Sequence, residues 1–121
     1  MKFEIAEKEY ELHFGIKFVR QLDELYRVDY QGLEFGMGVN FAFLGLNQYN
    51  PATLGDVIRS AVSYEKSPPI LKHIDESIES YADEHNGLGE LFEIIIDEMG
   101  KSSVVKDTLE RFKANAKTQS N

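Results

Sequence analysis

The spacing of the apolar residues changes near residue 15 from every second residue to every third or fourth, and this change constrains the fold most. Before it, apolar and polar residues alternate in two short runs, whose apolar members are Phe3 and Ile5, then Tyr10, Leu12 and Phe14. Alternation predicts β-strands, and the polar stretch Glu7–Glu9 between the runs predicts the turn of a β-hairpin. Because two strands alone are marginally stable, the hairpin must lie on an apolar surface.

After residue 15 the apolar residues recur at helical spacing, beginning with an amphipathic helix predicted over Ile16–Val28. Asn50 and Pro51 predict a helix start, since asparagine caps free N–H groups and proline fits the first helical position. The residues expected in the core are Leu22, Leu25, Val57, Ile58, Ile74, Leu91 and Ile95. The patterns together predict an α+β fold that is predominantly α, with an N-terminal β-hairpin followed by five or six short helices in a compact bundle.

The length of 121 residues suits one domain, which we expect to cover residues 1–116. The polar residues 117–121 are expected to form a flexible tail. No run of apolar residues approaches the roughly 20 that span a bilayer, and the N-terminus lacks the apolar core of a signal peptide. The sequence therefore predicts a cytoplasmic protein that does not enter a membrane.

The charge balance and the absence of cysteine narrow the function classes. Acidic residues outnumber basic ones 21 to 13, which gives a net charge of −8. Binding to nucleic acid phosphates requires clustered lysine and arginine, so a nucleic acid partner is not expected. A chain without cysteine has neither disulfides nor thiolate metal sites.

None of the short motifs that resemble catalytic or binding sites is complete. Gly100, Lys101 and Ser102 resemble the end of a phosphate-binding loop, but Ile95 stands where that loop requires a glycine. The three histidines are scattered, and no acidic stretch matches a calcium loop. The sequence thus predicts no catalytic residues, no cofactor and no metal, and a protein that is not an enzyme.

One segment, Ile74–Gly100, contains no lysine or arginine. Its acidic residues are Asp75, Glu76, Glu79, Asp83, Glu84, Glu90, Glu93, Asp97 and Glu98. The simplest interpretation is a solvated acidic face, and a functional one is a docking site for a basic partner. Two alternative functions also remain open: a small enzyme that uses paired carboxylates, and an acidic inhibitor or interaction protein that mimics the charge of DNA.

The apolar segment from Phe35 to Tyr49 is the candidate partner-binding surface. Its apolar side chains point in several directions around any helix that they form, so one helix face cannot bury them all. The candidate partner-binding residues are Phe35, Phe41, Phe43, Leu44, Leu46 and Tyr49. The alternative is a central helix that the rest of the domain buries completely.

The order of these parts resembles a known family. A hairpin ending at Phe14-Gly15 leads into a helix, followed by Gly36-Met37-Gly38, an apolar run to Leu46, and the sequence from Asn50 to Ile58. This order resembles the tail assembly chaperones of long-tailed (siphovirus-type) phages and prophages of Gram-positive bacteria. The resemblance covers about the first two-thirds of the chain and rests on apolar and glycine positions, not on catalytic residues.

The resemblance implies a non-enzymatic protein that binds and solubilises the tape measure protein while the phage tail is built. Many members of the family also exist in a longer form made by a ribosomal frameshift, whose extension is thought to recruit the tail tube protein. The present chain would then be the shorter form. The family further implies action in the cytoplasm of the bacterial host and absence from the mature virion. Self-association into a homo-oligomer is a further expectation.

Overall fold

In the computed structural model, which describes residues 1–119 and the side chains of residues 1–115, the chain begins with the predicted hairpin. Strand β1 (Lys2–Ile5) pairs antiparallel with strand β2 (Lys8–Glu11). The connecting residues Ala6 and Glu7 have φ angles of 51° and 66°. A two-residue turn with positive φ matches the twist of the flanking strands. The turn therefore lies at residues 6 and 7, slightly before the predicted polar stretch.

The first helix is followed by a second β-hairpin, which the sequence did not predict. Helix α1 covers Ile16–Leu25, strand β3 covers Arg27–Tyr30 and strand β4 covers Leu33–Gly36. The two strands are antiparallel, with Val28 opposite Phe35. The prediction of a single hairpin was therefore incomplete. We call the second hairpin, residues 27–36, the arm.

Helix α1 ends three residues before the predicted limit at Val28. The backbone of Tyr26 leaves the helical region, with φ of −122° and ψ of 83°, and its carbonyl accepts a hydrogen bond of 2.9 Å from the N–H of Met37 at the base of the arm. This pairing with the returning strand replaces further helical bonds. Leu25, expected in the core, is only half-buried, whereas the other six predicted core residues are buried.

Five more helices follow in the described part of the chain: α2 (Gly38–Asn47), α3 (Pro51–Ala61), α4 (Leu71–His85), α5 (Gly89–Lys101) and α6 (Lys106–Gln119). The predicted cap at the start of α3 is confirmed, because the Asn50 side chain accepts a hydrogen bond of 3.0 Å from the N–H of Ala52. The predominantly helical fold is confirmed. The expected flexible tail, residues 117–121, extends beyond the described residues and stays a prediction.

The first hairpin lies on the helices as expected for a marginal pair of strands. Phe3 and Tyr10, opposite each other in the register, are both buried, and the Phe3 ring centre lies 6.4 Å from that of Tyr81 on α4. The buried apolar residues form one cluster that includes members of this hairpin and of all six helices. No helix within residues 1–119 has the length and apolar character required to cross a membrane.

Candidate partner-binding surface

Helix α2 divides the predicted binding segment into a buried side and an exposed side. Phe43 and Leu46 lie in the core, at 5% and 0% exposure, and the Phe43 ring packs edge-on against Phe112 of α6. Phe41 and Leu44 are 40% and 42% exposed. Because Phe43 and Leu46 are covered by the domain itself, the apolar side chains of this helix that are available to a partner are Phe41 and Leu44.

Helix α2 is fixed in this orientation by close contact with α1. A Cβ atom on Gly38 would lie 2.5 Å from the backbone nitrogen of Asp23, so only glycine permits this approach. The Asp23 carboxylate also accepts a hydrogen bond of 2.8 Å from the N–H of Gly38, at the start of α2. A carboxylate is favourable there because the first N–H groups of a helix lack backbone partners. Asp23 therefore caps a helix other than its own.

The arm carries its apolar side chains on a single face. Residues opposite each other across antiparallel strands share a face, and so do alternate residues along each strand. The register therefore places four side chains on one side, Val28, Tyr30, Leu33 and Phe35. Tyr30, Leu33 and Phe35 are 63%, 62% and 46% exposed, and Val28 is half-buried. We call this side the arm face.

The opposite side of the arm is polar and points toward α1 at its base. It carries Arg27 and Glu34, whose side chains form an exposed ion pair of 3.2 Å. Gly36 belongs to the same side, and a Cβ atom there would lie 2.5 Å from the Cβ of Asp23. Since this side is directed toward α1, the arm face is directed away from α1 and toward solvent.

Tyr49, also a predicted binding residue, lies at the turn between α2 and α3, and its side chain contacts α5. Its ring stacks on Phe92 of α5, with ring centres 4.7 Å apart and an interplanar angle of 3°. Its hydroxyl donates a hydrogen bond to the Glu93 carboxylate, which, together with burial, raises the pKa of Tyr49. Only the ring face turned away from Phe92 is therefore left for a partner.

The acidic segment does not assemble into a carboxylate site. Eight of its nine acidic side chains are exposed on α4 and α5, and Glu98 is half-buried. An open groove of about 560 Å³ between the first hairpin and α4 is lined by Glu84 of this segment together with Glu4 and Glu7 of the hairpin region. Within the described residues no group of acidic and histidine side chains is placed to hold a metal ion. These acids have the arrangement of a solvated surface.

On the arm and α2, Tyr30 and Leu33 are exposed apolar residues that the sequence prediction did not include. The signal for them was present, since apolar residues alternate on both sides of Gln31 and Gly32, a pair typical of a two-residue hairpin turn. Both turn residues have positive φ, 53° and 82°.

The sequence matches the model of a known protein family. A family model described as "Phage tail assembly chaperone protein, TAC" matches residues 2–113. The match includes both hairpins and extends into α6. The searches of curated proteins and of solved structures found no match.

Proposed function

The chain belongs to the phage tail assembly chaperone family, and we propose on this premise that it binds and solubilises the tape measure protein during tail assembly. Members of the family are non-enzymatic chaperones, so the chain is not an enzyme. We assign the contact to the arm face together with Phe41 and Leu44 of α2. Of the binding residues proposed from the sequence, this surface includes Phe35, Phe41 and Leu44. Tyr49 lies outside it, with one ring face open to a partner.

The observation that carries the proposal is the concentration of uncovered apolar side chains between residues 30 and 44. Five large exposed apolar residues lie there: Tyr30, Leu33, Phe35, Phe41 and Leu44. Large exposed apolar patches on a folded domain mark interaction sites. A long helical protein that is apolar on one side can bury that side against such a patch, as amphipathic helices do in apolar grooves.

The charge of the domain fits the same role. A net charge of −8 keeps a complex in solution through repulsion between complexes, even when the bound protein is itself prone to aggregate. The exposed acids of α4 and α5 supply much of this charge. They also favour a client whose contact segment carries basic residues, through electrostatic complementarity.

The remaining parts of the proposal follow from the family resemblance. The chaperone would act in the cytoplasm of the bacterial host and be absent from the finished virion. A longer form made by frameshifting would bring the tail tube protein to the complex. Detection of a longer product that shares this N-terminal sequence, by mass spectrometry of infected or induced cells, is the direct test.

The binding surface is tested by co-expression with the tape measure protein of the same phage or prophage. We expect Leu33→Ser with Phe35→Ser, and separately Phe41→Ser with Leu44→Ser, to lower the soluble yield of the tape measure protein and its co-purification. The matched control is Ile16→Ser with Ile70→Ser, because these side chains are 56% and 58% exposed but lie outside the arm and α2.

Circular dichroism and thermal melting of each variant alone establish that the fold is intact. Loss of binding by folded arm and α2 variants, with retention by the control, supports the proposed surface. Full binding by both test variants would remove the surface from the proposal. Failure of the unsubstituted chain to raise the solubility of the tape measure protein would overturn the proposed function itself.

A further inference from the structure

We propose that two copies of this chain pair antiparallel along strand β3 and form a four-stranded sheet from their two arms. The inference goes beyond the proposed function, because it concerns the protein alone and requires no tape measure protein. In the described part of the chain β3 pairs with β4 only, so its outer edge carries backbone groups that no strand covers. Such an edge is a template for pairing with another strand.

The backbone groups that point outward from β3 belong to Arg27 and Asp29. In an antiparallel pair, opposite residues alternate between hydrogen-bonded and non-hydrogen-bonded pairs. The two-residue turn makes Tyr30 and Leu33 a hydrogen-bonded pair. Val28 and Phe35, two positions further from the turn, are then also a hydrogen-bonded pair. The bond from the N–H of Met37 to the carbonyl of Tyr26 continues this alternation. Arg27 and Asp29 therefore direct their N–H and C=O groups away from β4.

These outward groups are matched when the two-fold axis passes through Val28. Arg27 of one copy then lies opposite Asp29 of the second copy, and Asp29 lies opposite Arg27 of the second copy. Each of these pairs exchanges both backbone hydrogen bonds, and Val28 meets its own equivalent as a non-hydrogen-bonded pair. A contact of this kind uses the same surface on both copies and closes as a dimer.

The same register also satisfies the side chains. Opposite residues share a face of the sheet, so both arm faces lie on the same side of the four strands. On the other side, each Arg27 guanidinium, which also pairs with Glu34 of its own arm, stands opposite an Asp29 carboxylate of the second copy. Opposite charges across strands attract. The β3 strand is thus complementary to a second copy of itself in backbone, face and charge.

Neighbouring registers fail at least one of these conditions. Shifting the axis by half a residue places Val28 opposite Asp29, so the apolar faces fall on opposite sides of the sheet. Centring it on Asp29 or on Arg27 places like charges directly opposite, which is destabilising. Pairing through β4 is disfavoured, because β4 is the strand that contacts α1.

The consequence is an apolar surface twice as wide as that of one arm. Tyr30, Leu33 and Phe35 of each copy line the same side of the joined sheet. Association also removes the weakness of an isolated two-stranded hairpin, because a sheet of four strands with one apolar face is stable where a pair is marginal. The free β3 edge is covered in the same step.

A charge-exchange experiment tests the register. We expect sedimentation velocity of the unsubstituted protein to show a concentration-dependent dimer. Arg27→Asp and Asp29→Arg should each raise the dimer dissociation constant by roughly tenfold or more, because two opposite-charge pairs become like-charge pairs. Mixing the two variants should restore association, since a strand with acids at both positions then faces a strand with arginines at both. The control Lys2→Asp carries the same charge change as Arg27→Asp on the first hairpin and should leave the dimer unchanged.

Cysteine substitution tests the axis independently, because the chain has no cysteine of its own. Non-hydrogen-bonded antiparallel pairs have Cα atoms about 4.5 Å apart, within the range that a disulfide spans. Val28→Cys should therefore form a covalent dimer under mild oxidation. Tyr30→Cys should not, because the two residues 30 would lie about 13 Å apart along the strands.

A protein that stays monomeric at millimolar concentration overturns the proposal. So does a dimer whose dissociation constant is unchanged by both charge reversals. Equal disulfide crosslinking at positions 28 and 30 would overturn it as well. Monomeric chaperone whose β3 edge binds an extended segment of another protein would also overturn it in favour of that occupant. Because no tape measure protein is present in these assays, their failure leaves the proposed function untouched.

Discussion

The hydroxyl of Tyr26 donates a hydrogen bond of 2.5 Å to the carboxylate of Asp56 and so joins the end of α1 to α3. Both side chains are half-buried. Burial is the main cause that raises the pKa of Tyr26, and the bond and negative charge of Asp56 raise it further. The bond exists only while the phenol keeps its proton, so this contact between helices is sensitive to alkaline pH.

We expect Tyr26→Phe to lower the free energy of unfolding at pH 7 by about 1 kcal/mol, the net contribution of one such hydrogen bond. Above about pH 10 the unfolded chain loses the Tyr26 proton while the native chain retains it. The unfolded state then binds fewer protons, and stability falls as pH rises. The advantage over the phenylalanine variant is therefore complete below about pH 10 and shrinks above it. Urea unfolding at a series of pH values from neutral to alkaline measures the difference, and a constant difference would contradict this assignment.

We expect Gly38→Ala to destabilise the domain by about 3 kcal/mol or more, because the new methyl group would meet the backbone of α1, which cannot move aside as a side chain can. Gly100→Ala is the matched control. It lies near the end of α5, where the added carbon would meet no atom within 4 Å apart from its chain neighbours and the backbone of its own helix. Alanine there should stabilise by about 0.5 kcal/mol. Equal urea midpoints for the two variants would refute the close contact of α1 with α2.

The first hairpin has two residues with positive φ that are not glycine, Ala6 and Glu7. Left-handed backbone is unfavourable for such residues, and Asn-Gly is the preferred pair in this turn. Ala6→Asn with Glu7→Gly should therefore raise stability by about 1 kcal/mol. Glu9→Gly, placed within β2, should instead lower stability by about 0.5–1 kcal/mol. Thermal melting checks both, and the idea fails if the turn variant melts lower than the unsubstituted chain.

Phe41 and Phe43 are two residues apart on α2 but should respond very differently to truncation. Phe43→Ala removes a buried ring and should cost about 3–5 kcal/mol of stability. Phe41→Ala removes a ring that is 40% exposed and should change stability by about 1 kcal/mol or less. Chemical unfolding of both variants decides whether α2 has one buried and one exposed side. Similar losses would mean that Phe41 is also a core residue.

The sequence predicted the helical elements better than it predicted which of their faces are covered. Helix α2 is apolar nearly all round, so its own periodicity cannot separate Phe43 from Phe41. The distinction comes from contacts with distant residues, such as the Phe112 ring against Phe43 and the backbone of α1 against Gly38. These depend on how the helices are arranged, which no local pattern encodes.

The arm was missed for a different reason. Tyr26 and Val28 continue the helical spacing of α1, so the apolar pattern alone does not mark the end of the helix. The end is set by Tyr26, which bonds Asp56 through its side chain and Met37 through its backbone. Both partners are remote in sequence. The alternation around Gln31 and Gly32 does indicate a hairpin. It is a weak signal, because each strand has only four residues and their apolar side is largely uncovered.

The Asp23 side chain couples the arm to helix α2. This one side chain accepts a hydrogen bond from the N–H of Gly38 and lies against Gly36. The end of α1, the base of the arm and the start of α2 therefore meet at Asp23. Because Asp23 contacts both segments, we expect a partner bound at the arm face to affect the first turn of α2. We expect the hydrogen-exchange rate of the Gly38 amide to change when a partner binds the arm face. An unchanged rate would show that the arm responds independently of α2.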